Sequence, residues 1–314
     1  MGGFIIRRLI QTVAVLILVS ILSFLLLHLI PGDPVLAMLG IDAKPAQIEQ
    51  LRHELALDQP IVMQYVHWVS GIFHGDLGRS IYFSESVSQL MKDRLPITAY
   101  LSGIALIISV ILGIWAGVIC AIRRGGAIDS IITLLANVGI AVPTFWLGIL
   151  GIWVLGLKLN WLPVSGFTWP TENLSKSLLQ SILPLICLSV PGIAVLARQT
   201  RSSMLEVIQQ DYIRTAISKG LRERVVVMRH ALKNALIPII TLTGMQVRLL
   251  VGGAVLTETV FSIPGMGRLL VRAAFDKDYM IVQSGVLIIG VVVCLANLLV
   301  DISYGWVDPR IRYK

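Results

Sequence analysis

The sequence predicts an all-α, polytopic membrane protein with six transmembrane helices. Of its 314 residues, 56% are hydrophobic and only 14% are charged, and the mean hydropathy is +0.82. A soluble domain carries roughly a quarter charged residues, and a disordered chain has low hydrophobicity, so both classes are excluded. The apolar residues form long blocks, several of which reach the ~20 residues that a helix needs to cross a bilayer.

Each of these blocks is predicted to be a helix, because lipid offers no hydrogen-bond partner to unpaired backbone groups. The first block follows Arg7 and Arg8 and ends before Pro31. It is longer than the apolar part of a signal peptide, and no small-residue cleavage site follows it, so we interpret it as a retained transmembrane helix. The predicted segments run approximately over residues 9–30, 94–123, 129–158, 176–198, 237–257 and 278–301.

The charges in the loops predict the orientation of these segments. The loops on one side of the membrane carry most of the lysine and arginine residues, and the loops on the other side are acidic or balanced. By the positive-inside rule, with an even number of segments, both the N- and C-termini are expected to be cytoplasmic. The net charge of +8 is explained by the basic residues in the loops on one side of the membrane, so no nucleic-acid partner is predicted.

The predicted segments divide the chain into four parts. The long outer loop contains a predicted helix between Lys44 and Leu57 and an aromatic patch of Tyr65, Trp68 and Phe73. The parts are a first transmembrane helix (1–30), an extracytoplasmic loop region (31–96), a five-helix core with a cytoplasmic loop at 198–236 (97–305), and a cytoplasmic C-terminal tail (306–314).

The inner loop, residues 198–236, has the pattern of two amphipathic helices joined by a turn at Gly220. Such a pair could transmit force from a docked soluble partner, or it could lie on lipid headgroups, as basic amphipathic helices commonly do. The residue pattern leaves both interpretations open. The first apolar stripe contains Leu205, Ile208, Tyr212 and Ala216, and the second contains Val225, Met228, Leu232 and Ala235.

Motifs along the whole chain resemble the permease subunits of ABC importers, specifically the dipeptide, oligopeptide and nickel branch. The most specific are the runs 211–220 (DYIRTAISKG) and 229–238 (RHALKNALIP), which are similar to the cytoplasmic coupling loop of that family. Further motifs follow in family order. They are Pro31–Pro34 (PGDP), Leu57–Pro60 (LDQP), Gly75–Gly78 (GDLG), Trp161–Pro163 (WLP), Glu258–Phe261 (ETVF), Pro264–Gly267 (PGMG) and Asp308–Tyr313 (DPRIRY).

The resemblance implies the fold and the partners. It implies a type I importer permease fold in a prokaryotic inner membrane, with the first helix wrapping a five-helix core. The implied assembly contains a second, homologous permease, two ATP-binding cassette ATPase subunits and an extracytoplasmic solute-binding protein. The implied ATPase-docking residues are Tyr212, Arg214, Thr215, Ala216, Lys219 and Gly220.

Two charged residues near the fifth segment are candidates for the translocation pathway. Arg248 lies in the middle of the segment, where a cation is costly unless it faces a partner or a watery cavity. Two interpretations stay open for it: contact with an anionic group of the substrate, or an ion pair with a carboxylate. Glu258 lies at the outer end of the segment, where the resemblance implies a gating region.

The sequence predicts no catalytic chemistry, no cofactor and no metal in this chain. It has no phosphate-binding loop of the Gly-x-x-x-x-Gly-Lys-Ser/Thr type, so ATP hydrolysis is expected in separate subunits. His53, His67 and His74 are interpreted as surface residues rather than metal ligands. The pair Gly113 and Gly117 has the spacing of a helix-packing motif.

Three other classes of protein were weighed. A stand-alone secondary transporter or channel often shows inverted repeats, and no convincing repeat is visible here. A membrane-embedded enzyme needs several polar catalytic groups at one depth, and the scattered single charges of this sequence do not supply them. Exporter subunits lack the outer motifs of this branch, so the sequence disfavours that class. The substrate stays open among dipeptides, longer peptides, glutathione and chelated nickel.

Overall fold

A computed structural model describes residues 2–29, 35, 44–54, 57–80 and 82–307. The described residues are helical apart from connecting loops and one isolated bridge between Arg79 and Ser86. The motifs at 31–34 and 308–313, and the tail from residue 308, lie outside the described residues. The helices are α1 (Gly2–Leu29), α2 (Pro45–Glu54), α3 (Ile61–Phe73), α4 (Val87–Ile122), α5 (Ala127–Ala141), α6 (Thr144–Lys158), α7 (Leu174–Ile208), α8 (Asp211–Ser218), α9 (Glu223–Val260), α10 (Met266–Phe275) and α11 (Tyr279–Val307).

Among the described residues, five helices are long and apolar enough to cross a membrane. They are α1, α4, α7, α9 and α11. Helices α5 and α6 meet the same criterion together, but they are bent by 102° at the break between them. The all-α membrane fold is therefore confirmed, and the predicted count of six is reached when the bent pair is one span.

The bend divides the predicted third segment at Pro143. Proline has no backbone N–H to continue the helical ladder, and it forces the residue before it out of the α region. Val142 accordingly has extended backbone angles, φ −81° and ψ 124°. Beyond the bend, residues Ile152–Lys158 of α6 are wound as a π-helix.

The chain folds into two compact units. The first comprises residues 1–5, 99–263 and 295–314, and the second comprises residues 6–98 and 264–294. In the first unit, α7 is the central helix and packs along α5, α6 and α9.

The glycines of α4 let it approach α7 closely in the first unit. A Cβ at Gly117 would lie 2.6 Å from the Ala197 carbonyl oxygen, and one at Gly113 would lie 2.6 Å from the Cβ of Leu196. The predicted packing role of this glycine pair is confirmed.

The second unit brings together several of the family-like motifs. The hydroxyl of Ser284 donates to the carbonyl of Leu77 (3.3 Å), in the 75–78 motif. The backbone N–H of Met266, in the 264–267 motif, donates to the hydroxyl of Thr98 (2.8 Å). Helix α10 buries Met266, Leu269 and Ala273 against the start of α4. The predicted helix in the outer loop is also present, as α2.

Candidate coupling site

The candidate site is the short helix α8 together with the apolar surface on which it lies, all within the first unit. Ile213 and Ala216 of α8 are buried on this surface. We call this surface the α8 platform. Its buried residues come from α4 (Val118, Ala121), α7 (Met204) and α9 (Val226, Val227, Ala231, Ala235).

The opposite side of α8 is exposed and polar. Arg214 and Lys219 project as cations, and Thr215 lies between them. Among the described residues, the Arg214 side chain makes one long ion pair, 3.8 Å from Asp211 of the same helix. Exposed pairs of this kind hold a side chain weakly, so the guanidinium is available to another molecule. Tyr212 and Ile217 are also exposed, at 44% and 59%.

Gly220 ends the helix in the left-handed backbone region, with φ +72°. Its N–H donates to the Ile217 carbonyl (2.9 Å), and the N–H of Lys219 donates to the Thr215 carbonyl (3.1 Å). A Cβ at Gly220 would meet no heavy atom within 4 Å. The requirement for glycine therefore comes from the backbone angle and not from crowding.

A side-chain hydrogen bond joins α8 to α9. The amide of Asn234 donates to the hydroxyl oxygen of Tyr212, with Nδ2 and Oη 2.7 Å apart. The same amide also lies 3.3 Å from the His230 carbonyl, one turn earlier in α9. The two family-like runs of the inner loop thus meet at this bond.

The structure confirms the predicted apolar stripes of the inner loop only in part. Helix α7 extends to Ile208, and α8 begins separately at Asp211, so the first stripe spans a break and Tyr212 is exposed. In α9, the residues Val226–Ala231 are wound as a π-helix. A π-turn holds more residues per turn than an α-turn, which shifts the register. The buried positions are therefore Val226, Val227, Ala231 and Ala235. In the predicted second stripe, Ala235 is buried and Leu232 packs against the platform, while Val225 and Met228 are exposed.

An ion pair next to the platform was not predicted. Arg201 of α7 donates from Nε to Oδ1 of Asp129 (2.7 Å) and from Nη2 to Oδ2 (2.8 Å). The Gly125 N–H also donates to Asp129, at 3.0 Å. The Asp129 side chain is 6% exposed and the Arg201 side chain 32%. This bidentate pair ties the start of α5 to α7, one turn before Met204 of the platform.

The two candidate pathway residues lie apart on α9. Arg248 is exposed in this single chain, in the middle of the helix. Glu258 is buried at 1% exposure, three turns further on, and its backbone carbonyl accepts from the Ile263 N–H (2.8 Å). No group of three or more metal-ligating side chains occurs among the residues for which the surroundings are described, which are 6–25, 35, 44–50, 52–53, 57–80 and 82–299.

Comparison with known proteins first defines the class. A chain in a solved inward-facing structure of the MetNI methionine ABC transporter superposes with a TM-score of 0.57. The match covers 70% of this chain and 97% of that one at 16% sequence identity, so it establishes a shared fold. The fold is that of a type I ABC importer permease.

Family models and relatives then give the family. Residues 109–313 match the model of the binding-protein-dependent transport system inner membrane component, and residues 1–102 match its N-terminal companion. A probable peptide ABC transporter permease of Sinorhizobium fredii is 44% identical over all of both chains. The dipeptide transport system permease of Escherichia coli is 41% identical over 99% of both chains. The chain belongs to the family of binding-protein-dependent transport system inner membrane components, as a multi-pass permease subunit of an ABC importer.

Proposed function

We propose that this chain forms half of the translocation pathway of a peptide importer and receives the force of ATP hydrolysis through α8. The substrate class is supported by relatives over the full length of the chain, which are named as peptide or dipeptide permeases. The chain itself performs no covalent chemistry, and separate subunits hydrolyse ATP.

The observation that carries the coupling proposal is the two-sided character of α8. One side is fixed by Ile213 and Ala216 on the platform, and the other presents Arg214, Thr215 and Lys219 to solvent. The platform is built from α4, α7 and α9, each of which is long and apolar enough to span a membrane. Packed interiors are dense and transmit displacement, so a push on α8 moves the ends of these helices.

The residues of the loop divide into two roles. Arg214, Thr215 and Lys219 would contact the ATPase subunit directly. Ala216 would act by positioning α8, because it is buried against the platform. Tyr212 and Gly220 would set the geometry of the helix at its two ends, through the bond to Asn234 and the left-handed turn.

The proposed function also implies an orientation of the chain in the membrane and a set of partner subunits. We place α8 and both termini in the cytoplasm, because the basic loops lie on the α8 side of the predicted segments. The partners would be a second, homologous permease, two ATPase subunits and an extracytoplasmic solute-binding protein. Copurification of the tagged chain with its neighbours, followed by mass spectrometry, tests this composition. Recovery of the chain alone as a stable species would favour a stand-alone transporter.

For the pathway, we propose that Arg248 faces the substrate route between the two permeases. An exposed cation in the middle of a spanning helix needs a partner or a watery cavity, and a second permease surface would supply one. A peptide offers a terminal carboxylate as a counter-charge. Glu258 would contribute to the gate near the other end of α9. Charge reversal at Arg248 that leaves substrate selection and uptake unchanged would remove it from the pathway.

The experiment that tests the proposed function is uptake of a radiolabelled dipeptide by cells that lack other peptide importers and express this chain with its partner subunits. Gly220→Pro should abolish uptake, because proline cannot adopt φ +72°. Gly220→Asn is the matched control, since asparagine tolerates this region. ATP hydrolysis by the purified Gly220→Pro complex should continue without transport. Uptake of chelated nickel and not of dipeptide would reassign the substrate.

A further inference from the structure

The helix α3 (Ile61–Phe73) has two apolar sides, and only one of them is packed. Tyr65 and Trp68 lie against Phe24 of α1, with ring centroids 5.4 and 6.1 Å from the Phe24 ring. The Tyr65 hydroxyl lies 2.8 Å from the hydroxyl of Ser20. These contacts are all within the second unit, and they attach α3 to the last turns of the apolar span of α1 (Ile6–Leu25).

The other apolar side of α3 is uncovered in this chain. Val62, Val66 and Phe73 are 68%, 54% and 86% exposed. At 3.6 residues per turn these three positions fall within an arc of about 40° on the helix surface, so they form one stripe. His67 lies outside this arc and is also exposed. We call Val62, Val66 and Phe73 the α3 stripe.

The composition of α3 favours lipid over protein or water as the neighbour of this stripe. None of its 13 residues is Asp, Glu, Lys or Arg. A protein-docking patch normally has a polar or charged rim, and an apolar stripe in water costs roughly 25 cal/mol for each Å² exposed. Tyr65 and Trp68 are the residue types enriched where a bilayer meets water.

The exposed apolar surface of α1 continues to the same place. Ile17, Ile21 and Leu25 are exposed along α1, which is long and apolar enough to span a membrane, while Ser20 and Phe24 on the adjacent face of the helix are buried. Because α3 is attached at Ser20 and Phe24, it lies at the depth where the α1 span ends. An amphipathic helix at that depth can bury one side in the boundary of headgroups and acyl chains.

We propose that α3 is a membrane-interface helix, with the α3 stripe in contact with lipid acyl chains beside the C-terminal end of the α1 span. This assignment is independent of the substrate and of α8. It makes this part of the 31–96 region an anchor on the membrane surface and not a free cap. The helix would fix the level of the loops that follow it, including the 75–78 motif.

Spin-label accessibility tests the proposal in the purified complex reconstituted in lipid nanodiscs. Cys120, Cys187 and Cys294 are first replaced by alanine, and single cysteines are introduced as Val62→Cys, Val66→Cys or Phe73→Cys. The matched control is His67→Cys on the same helix, with Glu85→Cys as an aqueous reference in the same unit. Collision rates of each nitroxide with oxygen, which concentrates in lipid, and with a water-soluble nickel chelate are then measured.

The expected result is an oxygen-to-chelate ratio severalfold higher at the three stripe positions than at His67 and Glu85. An equal, low ratio at all five positions would mean that the stripe faces water, and it would overturn the proposal. Low collision rates with both reagents at the stripe would mean that a partner protein covers it, which also overturns the proposal. Using three stripe positions keeps the test valid if one variant fails to assemble.

Discussion

The side-chain amide of Asn234 donates a 2.7 Å hydrogen bond to the hydroxyl oxygen of Tyr212, and this bond joins α9 to α8. The two residues are 22 positions apart, on either side of the Gly220 turn. Together with Ile213 and Ala216 on the platform, the bond gives α8 a defined position on α9. The bond is exposed, so its main effect is expected on the position of α8 rather than on global stability.

Tyr212→Phe should therefore lower transport per ATP hydrolysed while leaving the complex folded. The loss in stability should be at most about 1 kcal/mol, the net value of an ordinary hydrogen bond. The measurement is dipeptide uptake and phosphate release in the same proteoliposomes. Tyr212→Phe combined with Asn234→Ala should add little to either single change, because both remove the same bond. An unchanged ratio of uptake to hydrolysis in Tyr212→Phe would show that the bond has no part in coupling.

Asp129→Asn should destabilise the permease by removing the charge that holds Arg201. Hydrogen bonds to charged groups contribute about 1.5–3 kcal/mol, and this pair is bidentate with a buried carboxylate. The measurement is the shift of the apparent thermal midpoint of the purified complex. Asp211→Asn is the control, since Asp211 is 97% exposed and lies 3.8 Å from Arg214. Equal midpoints for the two variants would contradict the structural role assigned to the Asp129–Arg201 pair.

Gly117→Ala should disrupt the packing of α4 on α7. The added Cβ would lie 2.4 Å from the Thr200 Cβ and 2.6 Å from a backbone oxygen, so the helices must separate. Overpacking of this kind typically costs about 1–3 kcal/mol. Gly103→Ala in the same helix is the control, because a Cβ there meets nothing within 4 Å. The measurement is the yield of monodisperse complex and its thermal midpoint, and a variant as stable as Gly103→Ala would refute the close approach.

The fold could be predicted largely from the sequence, because lipid imposes strong rules on composition. Apolar blocks of spanning length and the absence of backbone partners in lipid lead directly to helices. The spacing of Gly113 and Gly117 indicated packing, although only the structure gives α7 as the partner. The bend at Pro143 was missed because a proline within a spanning segment can be accommodated in several ways.

The site was harder to predict in detail. The stripe from Leu205 to Ala216 predicted one amphipathic helix before a glycine turn at Gly220. The turn is present, but the helix is divided between α7 and α8. In the predicted α9 stripe, Ala235 is buried and Leu232 packs against the platform, as expected. Val225 and Met228 are exposed instead, because the π-helical stretch does not follow the spacing of 3.6 residues that the prediction assumed. The Asp129–Arg201 pair joins residues 72 positions apart, and no local pattern reports such a contact.

The central claim is that the exposed side of α8 contacts an ATPase subunit, and site-specific photo-cross-linking tests it most directly. A photoreactive amino acid is placed at Arg214 or Thr215 in the complex within its native membrane, and at Glu85 in the second unit as a control. The account predicts cross-links from α8 to a nucleotide-binding subunit and none from Glu85. Uptake that continues while neither α8 position gives such a cross-link would contradict it.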